Sequence, residues 1–319
     1  MLRCSFDHEI IEGLCTMVKT KNDLSPLNKF TAKELPKDNI KILQDLDLID
    51  SEMKFTEKAT PVANLLSNPY AVAKVFFTGG VGAYEHSIIY DEKFSKHVSL
   101  TVAPDAVTID DEMEPGSIVE ILEDLIGRSN LKSVNIKQVF SVDEALVVAA
   151  MLDMERKANL RAFVDEIPFT SNYYTASNIW RIIYSTTPSI QWFVYIINEI
   201  VGSNTTLTLQ QVETAIKQLA GKGVVTENGS QYRLSADMSL LSGRMIVVDN
   251  VLSVQASVQG KNNEIVNSGF TCVQSGVHDL LFLDYNNKDV IFETISSVRL
   301  KDYLLHFFNA EACFPKLLA

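Results

Sequence analysis

A chain of 319 residues, 46% hydrophobic and 21% charged, with a formal net charge of −12, is long enough for two ordinary domains, each with its own core. That composition excludes a disordered chain, and the acidity disfavours nucleic acid, whose ligands need clustered Lys and Arg. It favours a protein or small-molecule partner.

Cys4, Cys15, Cys272 and Cys313 are scattered, without a Cys-x-x-Cys spacing, and read as free thiols of a reducing compartment. The opening residues lack the apolar core of a signal peptide. The greasiest run, Trp192 to Ile197, is stopped by Asn198-Glu199 far short of a membrane span. A soluble, cytoplasmic protein is expected, with no membrane insertion.

In chain order, Phe6 to Val18 is a one-sided helix carrying Ile10, Ile11, Leu14 and Met17. A polar turn follows, then a helix through Ile40, Leu43 and Leu46, entered at Pro36, where a missing N–H costs nothing. Leu48-Ile49 and Phe55 are expected as wing strands, and Val62 to Leu66 as a short closing helix. From Ala71 to Ile109 the period shortens to that of an antiparallel meander, with turns at Gly79-Gly80-Val81-Gly82, Asp91-Glu92 and Pro104-Asp105. A helix from Ser117 to Ile126 ends at Gly127.

Ser141 to Glu166 is a strong helix, and 131–140 and 170–189 read as material joining two lobes. A helix over 190–201 follows. Thr208 is an N-cap for the helix through Val212 and Ile216. The wing around Glu227-Asn228-Gly229 comes next. Five strand candidates then begin at Met245, Leu252, Phe270, Leu280 and Val290, with a closing helix from Val298 to Phe308.

The order of elements occurs twice. Asn39 to Ser67 and Ala215 to Ser242 both read as helix, tight break, strand, polar turn and strand, ending in Leu-Leu-Ser (Leu65-Leu66-Ser67; Leu240-Leu241-Ser242). The expected fold is therefore α+β, a pseudo-two-fold duplication. Each half is a winged-helix-like segment with an antiparallel β-meander and closing helix. Residues 1–130 form the first lobe, 131–187 a connecting helical segment and 188–319 the second lobe.

Winged helices read DNA through cations on one helix. The first candidate helix carries Asp38, Asp45, Asp47 and Asp50 against Lys37 and Lys41, a face that phosphate repels. The second offers Lys217 and Lys222, with Arg233 on its wing, and is the only basis for a DNA-binding regulator. The glycines at 79–82 lack the lysine of a phosphate loop and read as a hairpin connection. Asp105, Asp110, Asp111, Glu112 and Glu114 lack calcium-loop spacing, and the five histidines form no zinc pattern. His86 and His97 are placed opposite one another across a hairpin. No nucleophile elbow or catalytic constellation is visible, so no enzyme, metal or cofactor is expected. A ligand-binding sensor or enzyme with its site between the lobes is the remaining alternative. Tyr173, Tyr174 and Trp180, set among small polar residues, are candidate partner-binding residues, with packing between the lobes as the other reading.

Taken twice, this order of leading helix, winged-helix segment, Leu-Leu-Ser turn, meander and closing helix resembles the EspG-type chaperones of type VII secretion. The resemblance spans roughly 7–127 and 188–309 and rests on element order, so it carries over no binding residue. It implies a non-enzymatic cytoplasmic protein-binding protein, a chaperone or adaptor that covers apolar surface on a helical secreted partner.

Overall fold

The computed structural model describes residues 2–80, 82–202 and 206–318. The first half comprises strand β1 (Arg3–Phe6), helix α1 (His8–Met17), a 3-10 turn (Pro26–Lys29), α2 (Lys37–Asp45), α3 (Thr60–Ser67), β2 (Ala71–Gly79), β3 (Gly82–Tyr90), β4 (His97–Val102), β5 (Val107–Asp110) and α4 (Pro115–Ile126). The second begins with β6 (Lys137–Ser141), α5 (Val142–Val164), α6 (Ala176–Ser185) and α7 (Phe193–Val201). It continues with α8 (Leu209–Gly221), β7 (Val225–Asn228), β8 (Gln231–Leu234) and α9 (Ala236–Arg244). It closes with β9 (Asn250–Gln259), β10 (Ile265–Ser275), β11 (Asp279–Tyr285), β12 (Asp289–Ile295), α10 (Ser297–Phe308) and α11 (Ala310–Leu318).

Ten of these strands make one antiparallel sheet in the order β1-β5-β4-β3-β2-β9-β10-β11-β12-β6, so the fold is α+β. The halves meet at its centre, where β2 pairs with β9 from Ala71↔Val258 to Gly79↔Asn250. At one edge β1 leads into α1; at the other β6 leads into α5. The segment expected only to join two lobes thus supplies an edge strand and a central helix. Ala145 to Leu152 of α5 are all fully buried, so this helix is apolar all round. Ser141 caps it, with Glu144 completing a capping box.

Strand alternation sends side chains to two faces. On one, Val75, Phe77, Ile88, Val254, Ala256 and Cys272 share a core with residues of α4, α10 and α11. The other face carries two separate cores. Val72, Ile89, Leu100 and Ile109 join α1 and α3 at one end. Val273, Leu281, Leu283 and Phe292 join α5, α7, α8 and α9 at the other. Each fully buried aliphatic or phenyl group in these layers contributes about 1.5–3 kcal/mol.

Of the two expected wings, the first is a single bridge, Ile49↔Phe55, and the second is the β7–β8 hairpin. Thr208 caps α8 as expected. Several details differ from the sequence reading. His86 faces Thr101 and His97 faces Tyr90, because the register is shifted from the one that would oppose the two histidines. Met245 to Val248 is not a strand: the Arg156 guanidinium takes the Met245 and Ile246 carbonyls that a ladder would have used. Gly79 pairs with Gly82 at the expected hairpin, whose Val81 lies outside the described residues.

Candidate functional site

Between the two helical layers the middle of the sheet is left uncovered on one face. Its positions there are Lys74 and Phe76 on β2, Ser253 and Gln255 on β9, and Asn267, Gly269 and Thr271 on β10, cross-strand neighbours in register. The alternate positions Val75, Phe77, Val254, Ala256, Phe270 and Cys272 on the same strands are buried. Polar residues alternating with apolar ones are the pattern of an antiparallel sheet with one face toward solvent, and Thr271 at the foot of this face is itself buried. The result is a groove of about 650 Å³ with a polar floor. Its wall is α7, through Tyr195, Ile196, Glu199 and Ile200, with Ile190 and Tyr285 beside it.

Phe76 is 41% exposed at the open side of this groove. The floor is internally braced: the Ser253 and Thr271 hydroxyls lie 2.9 Å apart. Gly269 lets the two strands come close, since a Cβ there would collide with the Val254 carbonyl. At the first-half margin, the Lys29 ammonium meets Glu85 at 2.8 Å, and the Ser87 hydroxyl donates to the same carboxylate oxygen at 3.0 Å. The Lys74 ammonium lies 5.3 Å from the Phe76 ring centroid. Burial pushes its pKa below the ordinary lysine value, Glu85 opposes that shift, and Lys29 adds to it.

The tyrosine–tryptophan segment lies elsewhere, against the β7–β8 hairpin. Tyr174 is buried and exchanges two backbone hydrogen bonds with Tyr232, adding a one-residue bridge to the β7–β8 hairpin. Tyr173 is 37% exposed, with the Arg233 guanidinium over its ring at 5.2 Å. Trp180 donates its indole N–H to the Leu207 carbonyl at 2.8 Å and stacks on Tyr184 at 5.6 Å. Trp180, Tyr184, Leu207 and Leu209 line a second, mainly apolar groove of about 660 Å³. Of the three predicted residues, Tyr173 and Tyr174 sit against the β7–β8 hairpin and Trp180 in the second groove, and only Tyr173 and Trp180 reach the surface.

Two of the three candidate DNA cations are occupied within the chain. Lys222 donates to the buried Glu144 carboxylate at 2.7 Å and to the Val139 carbonyl at 3.1 Å. Arg233 donates to the Thr226 hydroxyl at 3.1 Å and covers Tyr173. Lys217 remains exposed on α8. In the acidic loop, Asp110 accepts the Glu112 and Met113 amides, and Asp111 accepts the Leu2 amide, which makes these carboxylates part of the turn. No helix among the described residues is long and apolar enough to cross a membrane.

The groove-floor residues were missed from sequence. The alternation of Lys74 and Phe76 with buried neighbours was visible, but which strands lie at the sheet centre was not.

No protein-family model matches this chain, and no curated protein matches it. Among solved structures it is similar to the Mycobacterium tuberculosis type VII secretion system chaperone EspG5, determined in complex with the PE25–PPE41 dimer. The TM-score is 0.53 over 95% of each chain, at 7% sequence identity. The fold is EspG-like. At that identity the likeness is one of fold, and it covers nearly the whole of both chains.

Proposed function

We propose that this protein is a non-enzymatic binding protein with a chaperone-like role, and that the central groove receives the apolar end of a helical protein partner. The observation that carries the reading is the uncovered middle of the sheet. A chain with three packed cores leaves Phe76 and the α7 wall facing an open channel, over a polar floor braced by the Ser253–Thr271 pair. Apolar rims over a braced polar floor suit a protein surface, where aromatic and aliphatic anchors carry the energy and polar groups fix orientation. The EspG-like fold, seen in a chaperone solved with a protein dimer, agrees with a protein partner that is secreted, bound in the cytoplasm before export.

The groove of Trp180 and Tyr184, with Tyr173 nearby, is a second contact in this proposal; Tyr174 holds the segment in place from within. The recurring element order reads as an internal duplication in which β6 and α5 are the counterparts of β1 and α1. On that reading the second lobe begins at β6 and not at residue 188. A DNA-binding role is not favoured, since Lys222 and Arg233 already have partners.

The test is photocrosslinking in the native host, with a benzophenone side chain at position 76 and, separately, at position 42 on α2. A single abundant protein adduct from position 76, absent from position 42, supports the groove. Adducts of equal pattern from both positions, or none from 76, refute it.

A further inference from the structure

The end of α5 leaves an apolar stripe facing solvent. On the face that Asp153 and Arg156 occupy, the start of α7 and the Met245 and Ile246 carbonyls lie against the helix. Helical spacing carries that face on to Leu160, Phe163 and Val164, which are 44%, 78% and 70% exposed. Phe163 is the most exposed large apolar side chain among the described residues. Ala162, on the opposite side of the same turn, is buried and anchors it. Two backbone bonds then close the helix: the Ile167 amide donates to the Ala162 carbonyl at 3.0 Å, and the Glu166 amide to the Phe163 carbonyl at 3.3 Å. The stripe is thus a held surface, and an exposed apolar cluster of this kind marks contact with another molecule.

The order of charges along the stripe says what covers it. Lys157 and Arg161 lie toward its start and Asp165 and Glu166 at its end, all exposed. Arg161 approaches Asp165 at 3.4 Å within the helix, but an exposed pair of this kind adds little stability. A second copy laid antiparallel about a two-fold axis reverses the order, so the basic end of each stripe meets the acidic end of the other. A parallel copy would set like charges against each other. We infer that this protein pairs with itself through the end of α5, with the two Phe163 rings at the axis. Leu160 of each copy then lies beside Val164 of the other, and Arg161 of each copy against Asp165 of the other. One register serves both contacts, since the two pairs are centred on positions 162 and 163. So few apolar side chains per copy fall short of the roughly 800 Å² a side of a standard interface, so the dimer is expected to be weak, in the micromolar range. The pairing is independent of the central groove.

The test is analytical ultracentrifugation of the purified full chain from about 1 to about 100 µM, the range in which a small interface associates. The wild-type protein should pass from monomer to dimer as concentration rises. Phe163→Asp should remain monomeric throughout and keep its melting temperature, because the ring it replaces is exposed. Arg161→Glu and Asp165→Arg should each raise the dissociation constant at least tenfold, and the two together should restore it. That rescue is the signature of a charge pair between copies, which the loss of a merely apolar contact would not produce. A wild-type protein that stays monomeric at every concentration overturns the inference, as does a dimer that Phe163→Asp leaves intact. A dimer that Phe163→Asp dissolves but the paired charge exchange fails to restore overturns the antiparallel arrangement, and the inference with it.

Discussion

The ammonium of Lys222 at the end of α8 sits 2.7 Å from the Glu144 carboxylate in the first turn of α5. A lysine that sequence places on a DNA-reading face instead ties the end of α8 to the first turn of α5. The Glu144 side chain is only 4% exposed, so removing its cation strands a carboxylate in a largely dry place. Lys222→Met should cost about 1–3 kcal/mol in urea unfolding. The double variant with Glu144→Gln should recover part of it, as expected for a direct pair. Additive losses would show that the pair is not coupled.

Asp153 and Arg156 form a second internal tie. Asp153 accepts the amides of Phe193 and Val194 at the start of α7, while Arg156 pairs with it at 3.0 Å and donates to the Gln191 carbonyl. Both side chains are buried, so Asp153→Ala leaves an unpaired guanidinium and two amides without an acceptor. The expected loss is about 3–5 kcal/mol, read as a lower melting temperature. Because α7 is the groove wall, the same variant should weaken partner binding even below its melting point.

His86 gives the fold a pH dependence. Burial holds its pKa down to about 4, so the folded protein keeps the ring neutral while the unfolded chain protonates near 6.5. The stabilisation is complete above pH 6.5 and is lost as pH falls toward 4, because there the unfolded state binds the extra proton. The loss attributable to this group approaches ~3 kcal/mol. His86→Gln should remove that part of the difference between urea midpoints at pH 7.5 and pH 4.5. An unchanged difference would mean that His86 titrates near its ordinary value.

Tyr173 and Tyr174 separate surface from core at adjacent positions. Tyr174→Ala should cost about 3–5 kcal/mol, as for other buried aromatics, and loosen the β7–β8 hairpin. Tyr173→Ala should change the unfolding midpoint little, since its ring is partly exposed and gains only the Arg233 contact. Equal losses would show that the segment packs as one unit.

Much of the fold was legible because its signals are local. The one-sided pattern of Ile10, Ile11 and Leu14 gave α1, Thr208 gave the start of α8, and alternation gave the two meanders. Harder to read were elements whose reasons lie in tertiary contacts. Arg3 to Phe6 and Lys137 to Ser141 are too short to show a period, and become strands only by pairing with β5 and β12. The Met245–Val248 run has strand composition, but Arg156 takes the carbonyls of Met245 and Ile246, and Gln191 takes the amide and carbonyl of Val248. The aromatic segment was conspicuous in sequence, whereas Lys74 and Phe76 look like any exposed strand face until β9 is found beside β2.

Hydrogen–deuterium exchange on the complex with the crosslinked partner's native counterpart tests the central claim most directly. If the central groove is the binding site, α7 and the β2, β9 and β10 segments that carry Phe76, Ser253 and Thr271 gain protection, while α2 does not change. Protection confined to the Trp180–Tyr184 groove or to α2, with the central strands unaltered, would contradict the account.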